Sequence, residues 1–183
     1  DGFQDYSVNK NLSIICFNQR QWIGNGLVIP AGPLRENFSA LKRANCVVIN
    51  GEKKTDIEKK ILNENQNIKI FYTKYKPQNI ERFINKKITA FAGIGNPKNF
   101  FNLLKDHNLL VLKEVEFPDH YNYSDQEIEN LIKLSKDNNT ILITTEKDYF
   151  RIDEKYKKNI DCLKINLEIK NRDHFIEVFK KII

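Results

Sequence analysis

The chain has 183 residues, of which 40% are hydrophobic and 30% are charged, a balance typical of globular domains. No apolar run approaches the roughly 20 residues of a membrane-spanning helix, and the first residues lack the basic and apolar segments of a signal peptide. The three cysteines, Cys16, Cys46 and Cys162, form no C-x-x-C pair. We therefore expect reduced thiols, two of them buried within apolar runs, and no zinc site.

The net charge of +6 comes mostly from lysines, which are spread along polar helical segments such as residues 52–60 and 153–158. A basic surface attracts nucleic acid, anionic lipid or a phosphorylated substrate, although lysines spaced this way more often form a solvated helix face. One alternative is therefore a non-catalytic basic α/β module that binds nucleic acid. That alternative predicts RNA or DNA binding that weakens steeply with salt.

Strand-like runs recur along the chain between helix-like runs. Several are continuously apolar, as buried parallel strands are. The predicted strands are residues 12–17, 46–50, 68–75, 88–94, 110–117, 140–145 and 162–167. The predicted helices are residues 33–44, 56–63, 99–105, 124–134 and 173–182. Alternation of this kind predicts an α/β fold with a largely parallel sheet.

Two helix starts carry specific signals. Pro33 suits a first helical turn, and Ser124 followed by Glu127 completes a capping box. The chain lacks methionine and begins in Asp-Gly, a turn-forming pair. We therefore expect a fragment that lacks a preceding strand.

The glycine- and proline-rich stretch from Trp22 to Glu36 (WIGNGLVIPAGPLRE) predicts a loop with a specified path. If a helix begins at Pro33, its free N–H groups could face an anion, and Arg35 could fork onto a phosphate. A connecting loop without a binding role is an equally good interpretation. The apolar residues of this loop could contact acyl chains or belong to the core.

Three further motifs follow predicted strands. FAGIGNPKNFF (91–101) places a glycine turn before a helix, FPDHYNY (117–123) sets Asp119 beside His120, and TTEKD (144–148) contains Lys147. Histidine is a common general base or proton relay, and lysine a phosphate ligand, but each motif alone also fits a structural turn. An incomplete G-x-G makes a Rossmann-type nucleotide binder a weaker alternative, and no G-x-x-x-x-G-K-[ST] phosphate loop is present.

The ordered set of motifs resembles the tetraacyldisaccharide 4'-kinase family, over residues 1–152. The motifs that carry the resemblance are DGFQ, GNG-x-x-x-PAGPLRE, VVING, F-x-GIGNPKNFF, F-x-DHY and TTEKD. The resemblance implies a partial P-loop kinase-type parallel sheet plus a smaller C-terminal α/β domain. We expect residues 1–85 to be the C-terminal portion of the kinase core and residues 86–183 to be the smaller domain.

The same resemblance implies an ATP- and Mg²⁺-dependent transfer of phosphate to the 4'-hydroxyl of a tetraacylated glucosamine disaccharide 1-phosphate, a lipid A precursor. The enzyme would contact the cytoplasmic face of the bacterial inner membrane as a peripheral protein, and no nucleic acid partner is expected. The fragment alone is expected to be inactive, because the phosphate loop and the catalytic aspartate would lie upstream.

The resemblance also assigns roles to residues. It implies Asp1 as a metal ligand, His120, Asp119 and Glu36 as catalytic residues, with His120 raising the basicity of the upstream aspartate by pairing with it. The predicted substrate- and phosphate-binding residues are Gln4, Asn25, Gly26, Arg35 and Lys147. The family pattern has histidine where Asp5 and Tyr121 stand and proline where Asn37 stands.

Overall fold

The computed structural model describes residues 2–181, which form two compact units. The first comprises residues 2–76 and 167–181, and the second comprises residues 77–166. Our sequence boundary lay near residue 85 and assigned every later residue to the second domain. The structure places the boundary at residue 76, and the chain returns to the first unit at residue 167.

The first unit contains a four-stranded sheet in the order β1-β2-β3-β8. Its strands are β1 (Ile14–Asn18), β2 (Cys46–Asn50), β3 (Lys69–Pro77) and β8 (Ile165–Ile169). Strands β1, β2 and β3 are parallel. The Lys170 N–H donates to the Tyr72 carbonyl at 2.8 Å and the Gln78 N–H to the Lys164 carbonyl at 2.9 Å, so β8 runs antiparallel to β3.

Two helices and a 3-10 helix complete the first unit. They are the 3-10 helix Phe38–Arg43, α1 (Thr55–Glu64) and α6 (Arg172–Lys180). Strand β2 is buried on both faces: Val47 and Ile49 pack with α1, whereas Cys46 and Val48 pack with α6. Burial on both faces explains why this strand reads as a continuous apolar run.

The second unit contains a parallel four-stranded sheet in the order β5-β4-β6-β7. Its strands are β4 (Lys87–Ala92), β5 (Leu110–Glu116), β6 (Ile141–Thr145) and β7 (Asp161–Leu163). Its helices are the 3-10 helix Ile80–Phe83, α2 (Pro97–Asp106), α3 (Asp125–Asp137), α4 (Glu146–Arg151) and α5 (Glu154–Lys157). The predicted α/β class with largely parallel sheets is therefore confirmed.

The predicted helix at residues 33–44 is wrong over its first half. Leu34 is instead tied to the preceding loop, because its N–H donates to the Leu27 carbonyl at 3.1 Å and its carbonyl accepts from the Ile29 N–H at 2.8 Å. Only Phe38–Arg43 turns helically, as a 3-10 helix. The proposed anion site at a helix N-terminus beginning at Pro33 is therefore removed.

The predicted strand at residues 162–167 is divided between the two sheets. β7 ends at Leu163 and β8 begins at Ile165. At Lys164 between them, the backbone N–H donates to the Asn79 side chain at 2.8 Å, which breaks the ladder.

The predicted capping box at the start of α3 is confirmed. The Ser124 side chain accepts from the Glu127 N–H at 3.3 Å, and the Glu127 carboxylate accepts from the Ser124 N–H at 2.8 Å.

We predict that Ser124→Ala lowers the free energy of unfolding by about 1 kcal/mol, because it removes the acceptor of this N-terminal turn. Urea denaturation checks this value. Gln126→Ala, at an exposed position of the same helix, serves as the control and should change stability by less than about 0.5 kcal/mol. Equal effects of the two variants would contradict a capping role.

Candidate functional site

The loop that precedes the 3-10 helix in the first unit is braced by its own polar groups. The Asn25 side chain donates to the Ala31 carbonyl at 2.8 Å and accepts from the Leu27 N–H at 3.1 Å. Gly26 adopts a φ of 78°, which favours glycine. At Gly32 a β-carbon would collide with the Asn25 side chain and the Leu27 backbone, so the loop requires glycine there.

Beside this loop lies a cleft of about 290 Å³. Its lining brings together three of the predicted residues, Gln4, Arg35 and Glu36, with the aromatic side chains of Phe3 and Trp22. The DGFQ and PAGPLRE motifs, which are far apart in sequence, therefore meet in one place. Asn25 and Gly26 do not belong to this lining, and Asp1 lies outside the described residues.

Glu36 is held by an arginine that the sequence analysis missed. Arg43 Nη2 lies 2.5 Å from both carboxylate oxygens of Glu36, and the Arg43 guanidinium lies 4.1 Å from the centre of the Phe3 ring. Hydrogen bonding to Arg43, and more weakly to Gln4 and Tyr6, lowers the pKa of Glu36 below its ordinary value. A carboxylate held in this way is an anchor or a hydrogen-bond acceptor and a weak general base.

This lowered pKa predicts a pH dependence of stability. A carboxyl whose pKa is lowered on folding stabilises the protein above its unfolded pKa, and this contribution is lost as the pH falls through the folded pKa. We expect the unmodified chain to be more stable than Glu36→Gln at pH 7, and the difference to shrink as the pH falls below the ordinary value of 4.5. Urea denaturation across this range measures it. A difference that is independent of pH would contradict the ionic contact.

The apolar side chains of the loop beside the cleft differ in burial. Trp22 packs against Phe17 and Phe38, with ring centres 4.8 and 5.8 Å away, and so belongs to the core. Leu27 and Ile29 instead remain more than half exposed. These two apolar side chains of the loop are therefore available at the surface.

In the second unit the glycine turn, the Asp-His pair and the TTEKD motif meet where β4 and β6 end. These strands are parallel, so their carboxyl ends share one edge of the sheet, where α/β folds gather their ligands. His120, with a φ of 59°, donates its backbone N–H to Asp119 Oδ1 at 3.0 Å and to the Gly93 carbonyl at 3.2 Å. Lys147 Nζ lies 3.8 Å from Asp119 Oδ1.

The centre of this arrangement is Asp148, which is completely buried. Its Oδ2 atom accepts from the Gly93 N–H at 3.1 Å and from the Thr145 hydroxyl at 2.7 Å. Arg151 Nη1 lies 3.5 Å from its Oδ1 atom and 3.3 Å from the Gly93 carbonyl. We call Gly93, His120, Thr145, Asp148 and Arg151 the Asp148 cluster.

A buried tyrosine closes one side of the Asp148 cluster. The Tyr123 hydroxyl is buried and has no hydrogen-bond partner within residues 2–181. Burial, and then the negative charge of Asp148, raises the pKa of Tyr123. A β-carbon at Gly93 would approach this hydroxyl to 2.7 Å, so the crowded turn requires glycine.

The structure brings the predicted residues Asp119, His120 and Lys147 to one edge of the sheet. The sequence analysis missed the parts played by Asp148 and Arg151. The available signal was the T-x-x-D spacing of Thr145 and Asp148. Asp148 N–H donates to the Thr145 hydroxyl at 3.1 Å, as in a helix N-cap. Arg151 lies three residues further on, on the same face of the helix.

Comparisons with known proteins were made for the whole chain. A tetraacyldisaccharide 4'-kinase from Pelagibacter ubique (strain HTCC1062) is 40% identical over 185 residues, covering 100% of this chain and 59% of the relative. The enzyme of the same name from Rickettsia akari (strain Hartford) is 37% identical over 182 residues, covering 99% and 55% respectively. The chain thus spans little more than half the length of these curated relatives.

A solved structure of LpxK from Aquifex aeolicus, described as an apo form in complex with ATP, matches the fold. The TM-score is 0.68 with 22% sequence identity, and the match covers 100% of this chain and 56% of that structure. At this identity the likeness shows the fold alone. The family model for tetraacyldisaccharide-1-P 4'-kinase matches residues 1–183. The chain therefore belongs to the tetraacyldisaccharide-1-P 4'-kinase family.

Proposed function

We propose that the protein containing this chain transfers the γ-phosphoryl group of ATP to the 4'-hydroxyl of a tetraacylated glucosamine disaccharide 1-phosphate, in lipid A biosynthesis. The observation that carries this proposal is the family match over residues 1–183. The fold likeness to a structure described with ATP supports it. In the reaction the 4'-oxygen bonds to the γ-phosphorus, the bond from that phosphorus to the bridging oxygen breaks, and ADP leaves.

The hydroxyl proton must pass to a base, and the base we propose is an aspartate of the full-length protein. The His120 ring is 71% exposed, so it is accessible to a partner. A hydrogen bond donated to a carboxylate favours its ionised form. We therefore propose that His120 orients this aspartate and keeps it ionised, which differs from the raised basicity that we inferred from the sequence. Asp119 Oδ2 lies 3.9 Å from the Nε2 atom of this ring, and Lys147 Nζ lies 3.8 Å from Asp119 Oδ1.

The cleft of the first unit would contribute polar contacts. Its volume of about 290 Å³ fits a phosphate or sugar group but not a tetraacylated disaccharide. Arg35 and Gln4 are the proposed phosphate-binding side chains, and Glu36, fixed by Arg43, would accept hydrogen bonds from sugar hydroxyls. Asn25 and Gly26 would act by shaping the neighbouring loop.

Magnesium is expected in a kinase of this kind, and Asp1 is its proposed ligand. Among residues 2–181, no three histidine, cysteine, aspartate or glutamate side chains are placed to hold a metal ion.

The acyl chains imply contact with the inner membrane at its cytoplasmic face. No helix in the described part of the chain is long and apolar enough to span a bilayer. The exposed Leu27 and Ile29 support peripheral contact, because apolar loop side chains can enter the interfacial region.

The proposal is tested with the full-length protein, radiolabelled ATP and tetraacyldisaccharide 1-phosphate, with the lipid product separated by chromatography. We expect transfer of label to the lipid. A 4'-deoxy acceptor is the matched control and should remain unlabelled. Absence of transfer, or equal labelling of the 4'-deoxy acceptor, would contradict the proposed reaction.

A further inference from the structure

The Arg151 guanidinium lies between the buried end of the Asp148 cluster and the exposed ring of His120. Its Nη1 atom is 3.3 Å from the Gly93 carbonyl and 3.5 Å from Asp148 Oδ1, and its Nη2 atom is 3.3 Å from His120 Nδ1. One rigid, planar group therefore connects the β4 turn, the buried carboxylate and the imidazole.

The contact with His120 has a definite polarity. A guanidinium in a protein carries only hydrogen-bond donors and keeps its charge. The Nδ1 atom that faces Arg151 must therefore act as the acceptor and carry no proton. The proton of the neutral ring then lies on Nε2, the atom that could donate to a carboxylate.

Arg151 is itself held in place. Asp148 is completely buried, and its Oδ2 atom accepts from both the Thr145 hydroxyl and the Gly93 N–H, so its carboxylate has little freedom to move. The Gly93 carbonyl accepts from both the His120 N–H and Arg151. The same few atoms thus fix the backbone and the ring of His120.

We propose that Arg151 is a positioning residue, which keeps the proton of the neutral His120 ring on Nε2 and fixes the direction of that ring, and that Asp148 holds Arg151 for this task. The proposal rests on the proposed function, in which His120 donates from Nε2 to the catalytic carboxylate. It adds to that function a second residue that holds the histidine ring, without assigning Arg151 any contact with substrate.

Nitrogen-15 NMR of the full-length protein tests the proton position without an activity measurement. We expect the neutral His120 ring to carry its proton on Nε2. His107 is an internal control of opposite type, because its Nδ1 lies 3.0 Å from the Leu103 carbonyl, which can only accept. His107 should therefore carry its proton on Nδ1 in the same spectrum.

Variants then test whether Arg151 determines the position of the proton on the His120 ring. Arg151→Gln should shift the His120 nitrogen resonances and populate the second tautomer, whereas the His107 signals should not change. Arg82→Gln is the matched control, since Arg82 belongs to the same unit and pairs with Asp161 at 3.2 Å. Arg82→Gln should leave the nitrogen resonances of both His120 and His107 unchanged. A proton on Nδ1 of His120 in the unmodified protein would overturn the proposal, and this result requires no variant to fold.

Kinetics supply a second test. We expect Arg151→Gln to lower kcat by about tenfold or more with little change in KM, since a charge-assisted hydrogen bond biases an equilibrium by that order. Arg151→Lys keeps the positive charge but loses the two-pronged guanidinium. Its kcat should therefore lie between that of the unmodified protein and that of Arg151→Gln. In a His120→Ala background, Arg151→Gln should have almost no further effect, because the residue acts through the histidine. An equal loss in both backgrounds would overturn the proposal.

The two proposals fail in different ways. If His120→Ala leaves turnover unchanged, the catalytic role of His120 is removed, whereas the NMR experiment still decides whether Arg151 sets the ring. If the tautomer is insensitive to Arg151→Gln while His120→Ala abolishes turnover, the positioning role is removed and the proposed reaction remains.

Discussion

Replacing His120 by alanine in the full-length protein should lower kcat by about 10²- to 10⁴-fold, the usual contribution of a group assisting proton transfer. The proposed role of His120 gives the physical reason, because the variant loses the Nε2 donor that would keep the catalytic carboxylate ionised and oriented. Because the ring is 71% exposed, its removal creates no cavity, and stability should change by less than about 0.5 kcal/mol. Steady-state assay of lipid phosphorylation, together with a thermal melt, measures both quantities.

His107→Ala is the control for this experiment. His107 is exposed, lies in the same unit and follows α2, and it makes no contribution to the Asp148 cluster. Turnover in this variant should match that of the unmodified protein. Unchanged turnover in His120→Ala would remove the histidine from the mechanism, whereas a fall in both variants would indicate a general effect on folding.

Replacing Asp148 by alanine should lower the free energy of unfolding by about 2 to 4 kcal/mol. The change leaves the buried Gly93 N–H without an acceptor and removes the carboxylate beside Arg151, and each such loss is costly in a dry interior. Urea denaturation gives the overall effect. Amide hydrogen exchange at Gly93 gives the local effect and should become faster.

Asp161→Ala is the matched control for Asp148→Ala. Asp161 also pairs with an arginine, Arg82 at 3.2 Å, but its side chain is 40% exposed. A solvent-exposed ion pair contributes little, so we expect a loss below about 1 kcal/mol. Similar losses in the two variants would show that the buried carboxylate has no special structural role.

The sheets were predictable from sequence where strands are buried on both faces. Residues 46–50 read as a continuous apolar run and form β2 with the predicted bounds. The helix predicted from Pro33 was wrong, because backbone bonds between Leu34 and the Leu27–Ile29 segment hold the chain extended. Such bonds between loop residues leave no periodic pattern in the sequence.

The candidate site of the second unit was predictable from sequence only for residues that directly follow a strand. Asp119, His120 and Lys147 each belong to a motif that follows a predicted strand, and parallel strands end at one edge of a sheet. The roles of Asp148 and Arg151 depend on which buried carboxylate meets which backbone N–H, and that is a matter of tertiary packing. The return of residues 167–181 to the first unit is equally non-local, so a boundary drawn from composition alone could not include it.

The antiparallel pairing of β3 and β8 gives the second unit the character of an insertion. Its two ends are neighbours, since the Gln78 N–H donates to the Lys164 carbonyl at 2.9 Å. Domains whose termini lie close together are the ones most readily gained or removed within a host fold. In evolutionary terms, the second unit stands in the sequence where a hairpin turn would otherwise connect β3 to β8. A short turn could connect β3 directly to β8 and leave the strand order of the first sheet unchanged.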